Sequence, residues 1–450
     1  MLERVGIAAH EPLTARLMRT PLQVTIMSLL LERRPRAPQD RYGLFEAYYN
    51  TLYDREVGKD TAVARLLDEQ RVHVDQLHEQ VGLILQTRAE TAGDADAAMP
   101  LEELQALSER TLTEDGVEAD QATRMAGRLV NAATDRLVLI VPRAVGTVGF
   151  ELRSLQELMA ARAVTDGPDE EVLTRIRRLT TSAHWRNTWL FAASRIFATQ
   201  RHQRHAIVGI LGEIDNDSVL SSFIASGARL AIDMLDDDLA AKAPLFQRLL
   251  VERALTLLNT FPGEDIDRAA KILLEVMESD TVTRTLVIQR IEQALAGATR
   301  SAVVATRMLG VWADGVGITP AFARQRISRL SAATLDPAVK TGIGLLAPLL
   351  PTLASLRPAT PPAPAEDPAR VIGRHMRSSG YQPADLDQGR RIFSGLARKT
   401  AESTDLTDPE VQGQVVSVLD TLPMADWPAG SAVYDQLVHW SERRPTTPSE

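Results

Sequence analysis

The stretch LVLIVPRAVGTVGFELRSLQELMAARAV, residues 137–164, decides the fold. Leu137, Val138, Leu139, Ile140 and Val141 form a branched aliphatic run, Ala144 to Thr147 turn about Gly146, and Val148, Phe150 and Leu152 alternate with Gly149 and Glu151. Alternation with a period of two, beside a glycine turn, predicts a β-hairpin with Val148, Phe150 and Leu152 on its apolar side. Directly after it, Ser154 and Glu157 stand at capping-box spacing. That spacing predicts a helix starting there and burying Leu155, Leu158, Met159 and Val164, until Gly167 and Pro168 end it.

Everything upstream of the hairpin reads as helix. Thr20 before Pro21 is an N-cap followed by a first-turn proline, and Leu22, Ile26, Met27, Leu29 and Leu30 supply the stripe. Between Arg41 and Glu56 the apolar positions Leu44, Phe45, Tyr48, Tyr49, Leu52 and Tyr53 recur in pairs every four residues, one strongly amphipathic face. Further helical patterns run from about Ala62 to Leu85, from Pro100 to Leu112 and from Gln121 to Asp135. Helices followed by a two-stranded hairpin form the arrangement of a winged-helix domain.

Downstream, from about Asp169 to Leu350, helices of twelve to twenty residues are expected, with breaks at Asp215 to Asp217, Asp236 to Asp238, Pro262 to Gly263, Gly315 to Gly317 and Pro337. Two helices per ~40 residues without a strict repeat is the signature of a HEAT-like α-solenoid. Five prolines between Pro358 and Pro368 mark a stiff linker, and a polar tail begins at Arg443. The expected fold is mainly α, a winged-helix domain with one β-hairpin followed by a HEAT-like α-helical array. Its expected divisions are residues 1–39, the end of a preceding helical domain; 40–167, the winged helix; 168–350, the α-solenoid; 351–370, the Pro-rich linker; and 371–450, a C-terminal helical segment.

Composition narrows the function classes. The chain has 450 residues, 50 Lys plus Arg against 59 Asp plus Glu for a net charge of −9, and no cysteine. An acidic balance disfavours a nucleic-acid footprint, and the lack of thiols excludes disulfides, thiolate zinc sites, iron–sulfur clusters and a cysteine nucleophile. The first ten residues, with Glu3, Arg4 and His10, hold no apolar stretch, so no signal peptide is expected there. The uncharged run between Lys340 and Arg357 is broken by Gly342, Gly344, Pro348 and Pro351 and is too short to span a bilayer. A cytoplasmic protein without a membrane partner is the expectation.

Catalytic and metal chemistry find little support. The Gly58-Lys59 pair is followed by Asp60 rather than Ser or Thr and sits after a helix, so no phosphate-binding loop is present. His73, Asp75, His78 and Glu79 are the densest group of metal-ligand types, but a spacing of five puts the two histidines on different helix faces; they read as solvated or capping histidines. His202 and His205 among Arg201 and Arg204 read as an exposed positive face, and Asp236, Asp237 and Asp238 as a solvated helix end without calcium-loop spacing. No Ser, His and Asp set carries a nucleophile elbow. Arg124, Arg128 and Arg136 precede the hairpin, where a DNA-binding winged helix has its recognition helix; they and Arg175, Arg177 and Arg178 read as solvated faces. No catalytic residue, metal ligand or resident cofactor is expected.

Two segments resemble the carboxyl-terminal half of a NACHT-type signal-transducing NTPase of the STAND class. In Leu17 to Glu56, Arg19, Thr20, Pro21 and Leu22 and then Leu44, Phe45, Tyr48 and Tyr49 resemble the end of that family's first helical domain running into its winged helix. Phe150 to Ala161 resembles the winged-helix signature: a Phe, a His two residues on, a Ser, an aromatic, Gln-Glu and paired alanines, here with Phe150, Ser154, Gln156, Glu157, Ala160 and Ala161. Trp185 and Trp189 stand where a helical array follows in the family.

The resemblance implies a regulated switch, in bacterial defence or stress signalling. An NTPase core, upstream in cis or on a separate chain, would hold ATP or ADP with magnesium; the helical array would meet a protein or ligand trigger, and activation would bring oligomerisation. It implies that Pro21 packs on the adenine ring. Leu152 stands where the family places a histidine contacting the β-phosphate of ADP, and a leucine cannot donate that hydrogen bond. Thr20, Ser154 and Glu157 are explained by capping alone. The alternatives are an autonomous α-solenoid protein-interaction scaffold and a winged-helix DNA-binding regulator.

Overall fold

A computed structural model describes residues 17–33, 37–92, 97–135, 137, 139–263, 265–297, 299–332, 343, 353, 367–397 and 406–442. These are mainly helical, with one small sheet. The chain forms two compact units: Met1–Arg204 with Asp237–Leu239 and Pro445–Glu450, and His205–Asp236 with Ala240–Arg444. Arg136, Val138, Pro337, the stretch 354–366 and the tail from Arg443 lie outside the described residues.

The first unit begins with α1 (Pro21–Arg33), α2 (Arg41–Val57), α3 (Ala62–Glu69) and α4 (Arg71–Ala92). Thr20 and Gln23 cap α1 reciprocally: the Gln23 amide donates to Thr20 Oγ1 at 3.3 Å and the Thr20 amide to Gln23 Oε1 at 3.1 Å. Asp40 caps α2, accepting from the Gly43 amide at 2.6 Å, and Thr61 caps α3. The single helix expected from Ala62 to Leu85 is two helices parted at Gln70. Neither Gly nor Pro marks that break, which is why periodicity ran through it.

Next come β1 (Met99–Pro100), α5 (Leu101–Glu114), α6 (Ala119–Asp135), β2 (Ile140–Ala144), β3 (Thr147–Phe150) and α7 (Arg153–Val164). The hairpin is present, with Ile140 opposite Phe150 and Pro142 opposite Val148, and Gly146 takes the turn at φ +74°. It belongs to a three-stranded antiparallel sheet of order β1-β3-β2, Met99 pairing with Val148. Two residues ending in proline carry no period, so β1 was invisible to pattern reading.

Two details at the hairpin's end differ from expectation. β3 stops at Phe150, and Leu152 is the half-buried N-cap residue of α7 rather than the next core position of the strand. Ser154 and Glu157 form no capping box, because α7 starts one residue before Ser154 and has no side-chain cap; Glu157 is buried and accepts from Arg153 Nε at 3.2 Å. Phe150 and Val148 are buried and Glu151 is exposed, as alternation requires. Helices α8 (Asp169–Leu179) and α9 (Arg186–Thr199) follow, and Trp189 Nε1 donates to Thr180 Oγ1 at 3.0 Å, tying them together.

In the second unit α10 (Arg204–Asp215) and α11 (Val219–Ile224) precede an array. Helices α12 (Ser226–Asp236), α14 (Asp265–Ser279) and α16 (Thr299–Ala313) alternate there with α13 (Pro244–Ala254), α15 (Thr281–Leu295) and α17 (Ile318–Ala332). Ion pairs set the row in parallel: Arg229 with Asp265, Arg268 with Asp233 at 2.6 Å, and Arg307 with Asp267 at 2.7 Å. Trp312, fully buried, donates to the Ala270 carbonyl at 2.7 Å. Breaks fall at the expected acidic and glycine turns, but α11, α12 and α13 have 6, 11 and 11 residues, shorter than the expected twelve to twenty.

Four last helices, α18 (Pro368–Ser378), α19 (Pro383–Ala397), α20 (Pro409–Asp420) and α21 (Trp427–Glu442), belong to the same unit. Tyr434 of α21 is fully buried; its hydroxyl accepts from Arg229 at 2.9 Å and its ring meets Phe223 and Phe261. Gly430 admits the Phe261 ring, which a β-carbon there would meet at 2.7 Å.

Candidate functional site

Of the residues singled out in sequence, Leu152, Ser154, Gln156, Glu157, Ala160 and Ala161 lie on or at the start of α7 in the first unit, with Phe150 just before it. Its inward side lies on α4 at very short range, because Gly82 of α4 has no side chain: a β-carbon there would sit 2.7 Å from Met159 Cβ, 2.8 Å from the Ala160 nitrogen and 2.9 Å from the Gln156 carbonyl. Ala160 and Ala161 are fully buried. Small residues on both helices are what such an approach demands, so the paired alanines have a packing role. Gln156, also buried, donates to Gln86 Oε1 at 3.0 Å, and Gln86 donates to the His184 carbonyl at 3.0 Å. A buried amide chain thus carries α7 through α4 to the segment before α9.

One turn further along α7, Arg162 enters a polar cluster between α2 and α4. Its Nε reaches Glu79 Oε1 at 2.7 Å, its NH2 group Asp75 Oδ2 at 3.4 Å and its NH1 group Glu46 Oε1 at 3.9 Å, while the guanidinium carbon lies 5.4 Å from the Tyr49 ring centre. Burial disfavours the Arg162 charge, but Glu79, Glu46 and Asp75 outweigh it and hold its pKa above the ordinary value. Burial pushes the Glu79 carboxyl up, with Arg162 pulling it back.

Tyr49 donates its hydroxyl proton to Asp75 Oδ1. His78 Nδ1 lies 3.1 Å from the same hydroxyl oxygen, and since the phenol has only that one proton, Nδ1 must be the donor to it. The His78 ring is fully buried beside Phe150, and its Nε2 has no hydrogen-bond partner among the described residues. Burial holds its pKa down to about 4. The expectation of a solvated or capping histidine is therefore corrected for His78. Asp75, His78 and Glu79 share one face of α4 at spacings of three and four, which the five-residue spacing of His73 and His78 concealed. His73 contacts Gln70 at 2.8 Å and Asp115 at 3.1 Å.

No three His, Asp or Glu side chains among the described residues are placed to hold a metal ion. What the cluster does is mechanical: one guanidinium bridging three carboxylates and a phenol fixes the rotation of α7 against α2 and α4. Arg162 was missed in sequence. Its signal was an arginine seven residues after Leu155 and four after Leu158, on the apolar stripe of α7.

Pro21 is exposed at the first position of the doubly capped α1, and Thr20 is its cap. The structure does not bring Pro21 and Leu152 into one described site. Arg124 and Arg128 are exposed on α6, and Arg128, Asn131 and Asp135 line a cavity of about 270 Å³ with Ala62, Val63 and Leu66. Arg175 donates to the Asp166 carbonyl. His202 pairs with Asp169 at 2.7 Å, His205 packs on Phe246, and Asp236 pairs with Arg268 at 3.0 Å. Asp238 is buried at φ +54°, so the aspartate run is not the solvated helix end expected of it.

No protein-family model matches the chain, and no curated protein matches it. No helix among the described residues is long and apolar enough to cross a membrane.

Proposed function

We propose that this chain is the regulatory and sensor half of a NACHT-like STAND NTPase switch, serving bacterial defence or stress signalling, with its nucleotide and magnesium held by an NTPase core in cis or on a separate chain. The observation that supports the reading is the element order α4-β1-α5-α6-β2-β3, which agrees with the order expected of a winged helix, preceded by α2 and α3 and followed by α7 with its Gln156, Glu157, Ala160 and Ala161. Exposure of Pro21 at a rigidly capped helix start agrees with a surface offered to an adenine ring. The helices of the second unit are then the HEAT-like sensor. Titration calorimetry with magnesium ATP tests it: the chain alone is expected to bind weakly, and micromolar affinity would place the nucleotide site in this chain and overturn the reading. An in-frame phosphate-binding loop in the coding sequence upstream of Met1 is the expected positive result.

Leu152 favours a second reading, an autonomous α-solenoid scaffold that keeps the family's packing without its nucleotide. The Leu152 side chain cannot donate a hydrogen bond to a phosphate, and Gln156 and Ala160 are already committed to α4. A DNA-binding role gains less support, because α6 exposes Asp120 and Asp135 along with Arg124 and Arg128 and so presents no positive stripe.

A further inference from the structure

Helix α13 continues past Ala254 as a 3₁₀ turn from Leu255 to Asn259, a winding in which side chains three residues apart lie one above the other. Leu255 and Leu258 are thereby aligned, and both are buried. With Ala294 of α15 they give an apolar floor to a cavity of about 390 Å³, a size that accommodates a small organic molecule. Contacts at both ends show α13 and α15 running in parallel beside it. Arg248, near the start of α13, reaches Asp280, the N-cap of α15, at 3.8 Å; Asn259, beyond the end of α13, accepts from the hydroxyl of Ser301, beyond the end of α15, at 3.2 Å.

Each wall of the cavity is one helical face. Glu252, Thr256 and Asn259 line it from the α13 side and Arg290, Ala294 and Gly297 from the α15 side, both sets at spacings of four and seven. Because the helices are parallel, the first position of each set falls at the same end, so Glu252 and Arg290 stand there on opposite walls. Neighbouring charges are committed within the fold: Arg253 pairs with Asp215 at 3.8 Å, and Glu292 with Arg326. These two are not. Among the described residues Glu252 has no hydrogen-bond or ion-pair partner, and Arg290 has a single long bond, to Gln293 Oε1 at 3.4 Å.

A carboxylate and a guanidinium on opposite walls of an apolar trough select by charge. A purely anionic ligand meets Glu252 and a purely cationic one meets Arg290, whereas a ligand with both charges at one end satisfies the pair. We propose that this cavity binds a free α-amino acid with a large apolar side chain, its carboxylate on Arg290, its ammonium on Glu252 and its side chain over Leu255, Leu258 and Ala294. The proposal stands on the cavity alone and holds whether or not the chain serves a nucleotide switch.

The test is titration calorimetry of the full chain with L-phenylalanine and L-leucine. Three probes each lack one feature: phenylalaninamide the carboxylate, N-acetylphenylalanine the ammonium, and glycine the side chain. At least one of the two amino acids is expected to saturate the chain with a Kd of about 1 mM or tighter, and each probe to bind roughly tenfold more weakly. Arg290→Gln, at an exposed position, should weaken amino-acid binding by about that factor and erase the preference over phenylalaninamide. Glu252→Gln, also exposed, should do the same for the preference over N-acetylphenylalanine, and both variants should keep the wild-type melting temperature. Absence of saturable binding by both amino acids overturns the proposal, as does any of the three probes binding as tightly as the amino acid. Unaltered affinity in Arg290→Gln and Glu252→Gln places the binding outside this cavity and overturns it as well.

Discussion

Gly82 of α4 and Ala160 of α7 are in backbone-range contact, the Ala160 nitrogen lying 2.8 Å from the place a β-carbon on Gly82 would occupy. The absence of one methyl group therefore sets the distance between the two helices that hold the first unit's polar cluster.

Gly82→Ala is expected to destabilise the first unit by about 1 to 3 kcal/mol, since the methyl meets Met159 Cβ and two backbone atoms that cannot give way separately. Gly127→Ala, in α6 with nothing within 4 Å, is expected to do the opposite and stabilise by about 0.5 to 1 kcal/mol through helix propensity alone. Thermal melts of the two variants, read side by side, check both signs.

Arg162→Met should cost about 3 to 5 kcal/mol, because Glu79 and Asp75 stay behind half desolvated without their cation. Adding Glu79→Gln to Arg162→Met should recover part of that loss. A double-mutant cycle by urea denaturation measures it, and strict additivity would mean that the two groups do not interact.

Stability of the first unit should fall as pH drops from 6.5 to 4. The folded state refuses a proton at His78 until about pH 4, whereas the unfolded imidazole takes it near 6.5, so the unfolded chain binds more protons in that window. Above 6.5 the contribution is fully present. Glu79, with its carboxyl pushed up by burial, works in the opposite sense, and comparison with a His78→Gln variant separates the two. That variant should show a pH dependence flatter by up to about 3 kcal/mol across the window; superimposable wild-type and variant profiles of melting temperature against pH would refute it.

Phe150→Asp should unfold or severely destabilise the sheet region, at about 3 to 5 kcal/mol for a buried unpaired carboxylate, while Glu151→Lys, one residue on and exposed, should be nearly neutral. Equal melting temperatures for the two variants would contradict the strand register.

Helix and hairpin were legible in sequence because both are periodic: Phe150 in and Glu151 out follow from alternation, and Thr20 before Pro21 announces α1. Features set by single side chains meeting across the fold were not. Strand β1 is two residues long, the break at Gln70 uses no breaker residue, and Leu152 leaves the strand one step before alternation would place it in the core. Capping-box spacing assigned Glu157 to a helix cap, whereas its partner is Arg153, four residues back on the same helix. Within the polar cluster, three residues of α4 could be placed on one face from spacing, yet nothing local says that Arg162, eighty-seven residues after Asp75, completes it.

The Arg229–Tyr434 bond spans 205 residues of chain. Synthesis at roughly 5 to 20 residues per second therefore separates the emergence of the two partners by about 10 to 40 s. Through that interval the array's successive hairpins can assemble from near neighbours, while the aromatic surface of Phe223 and Phe261, and a guanidinium destined for burial, stay uncovered. The nascent second unit thus has a built-in waiting period. Its most vulnerable moment on the ribosome is set by the distance along the chain to α21, and slowing translation between residues 332 and 427 would lengthen it.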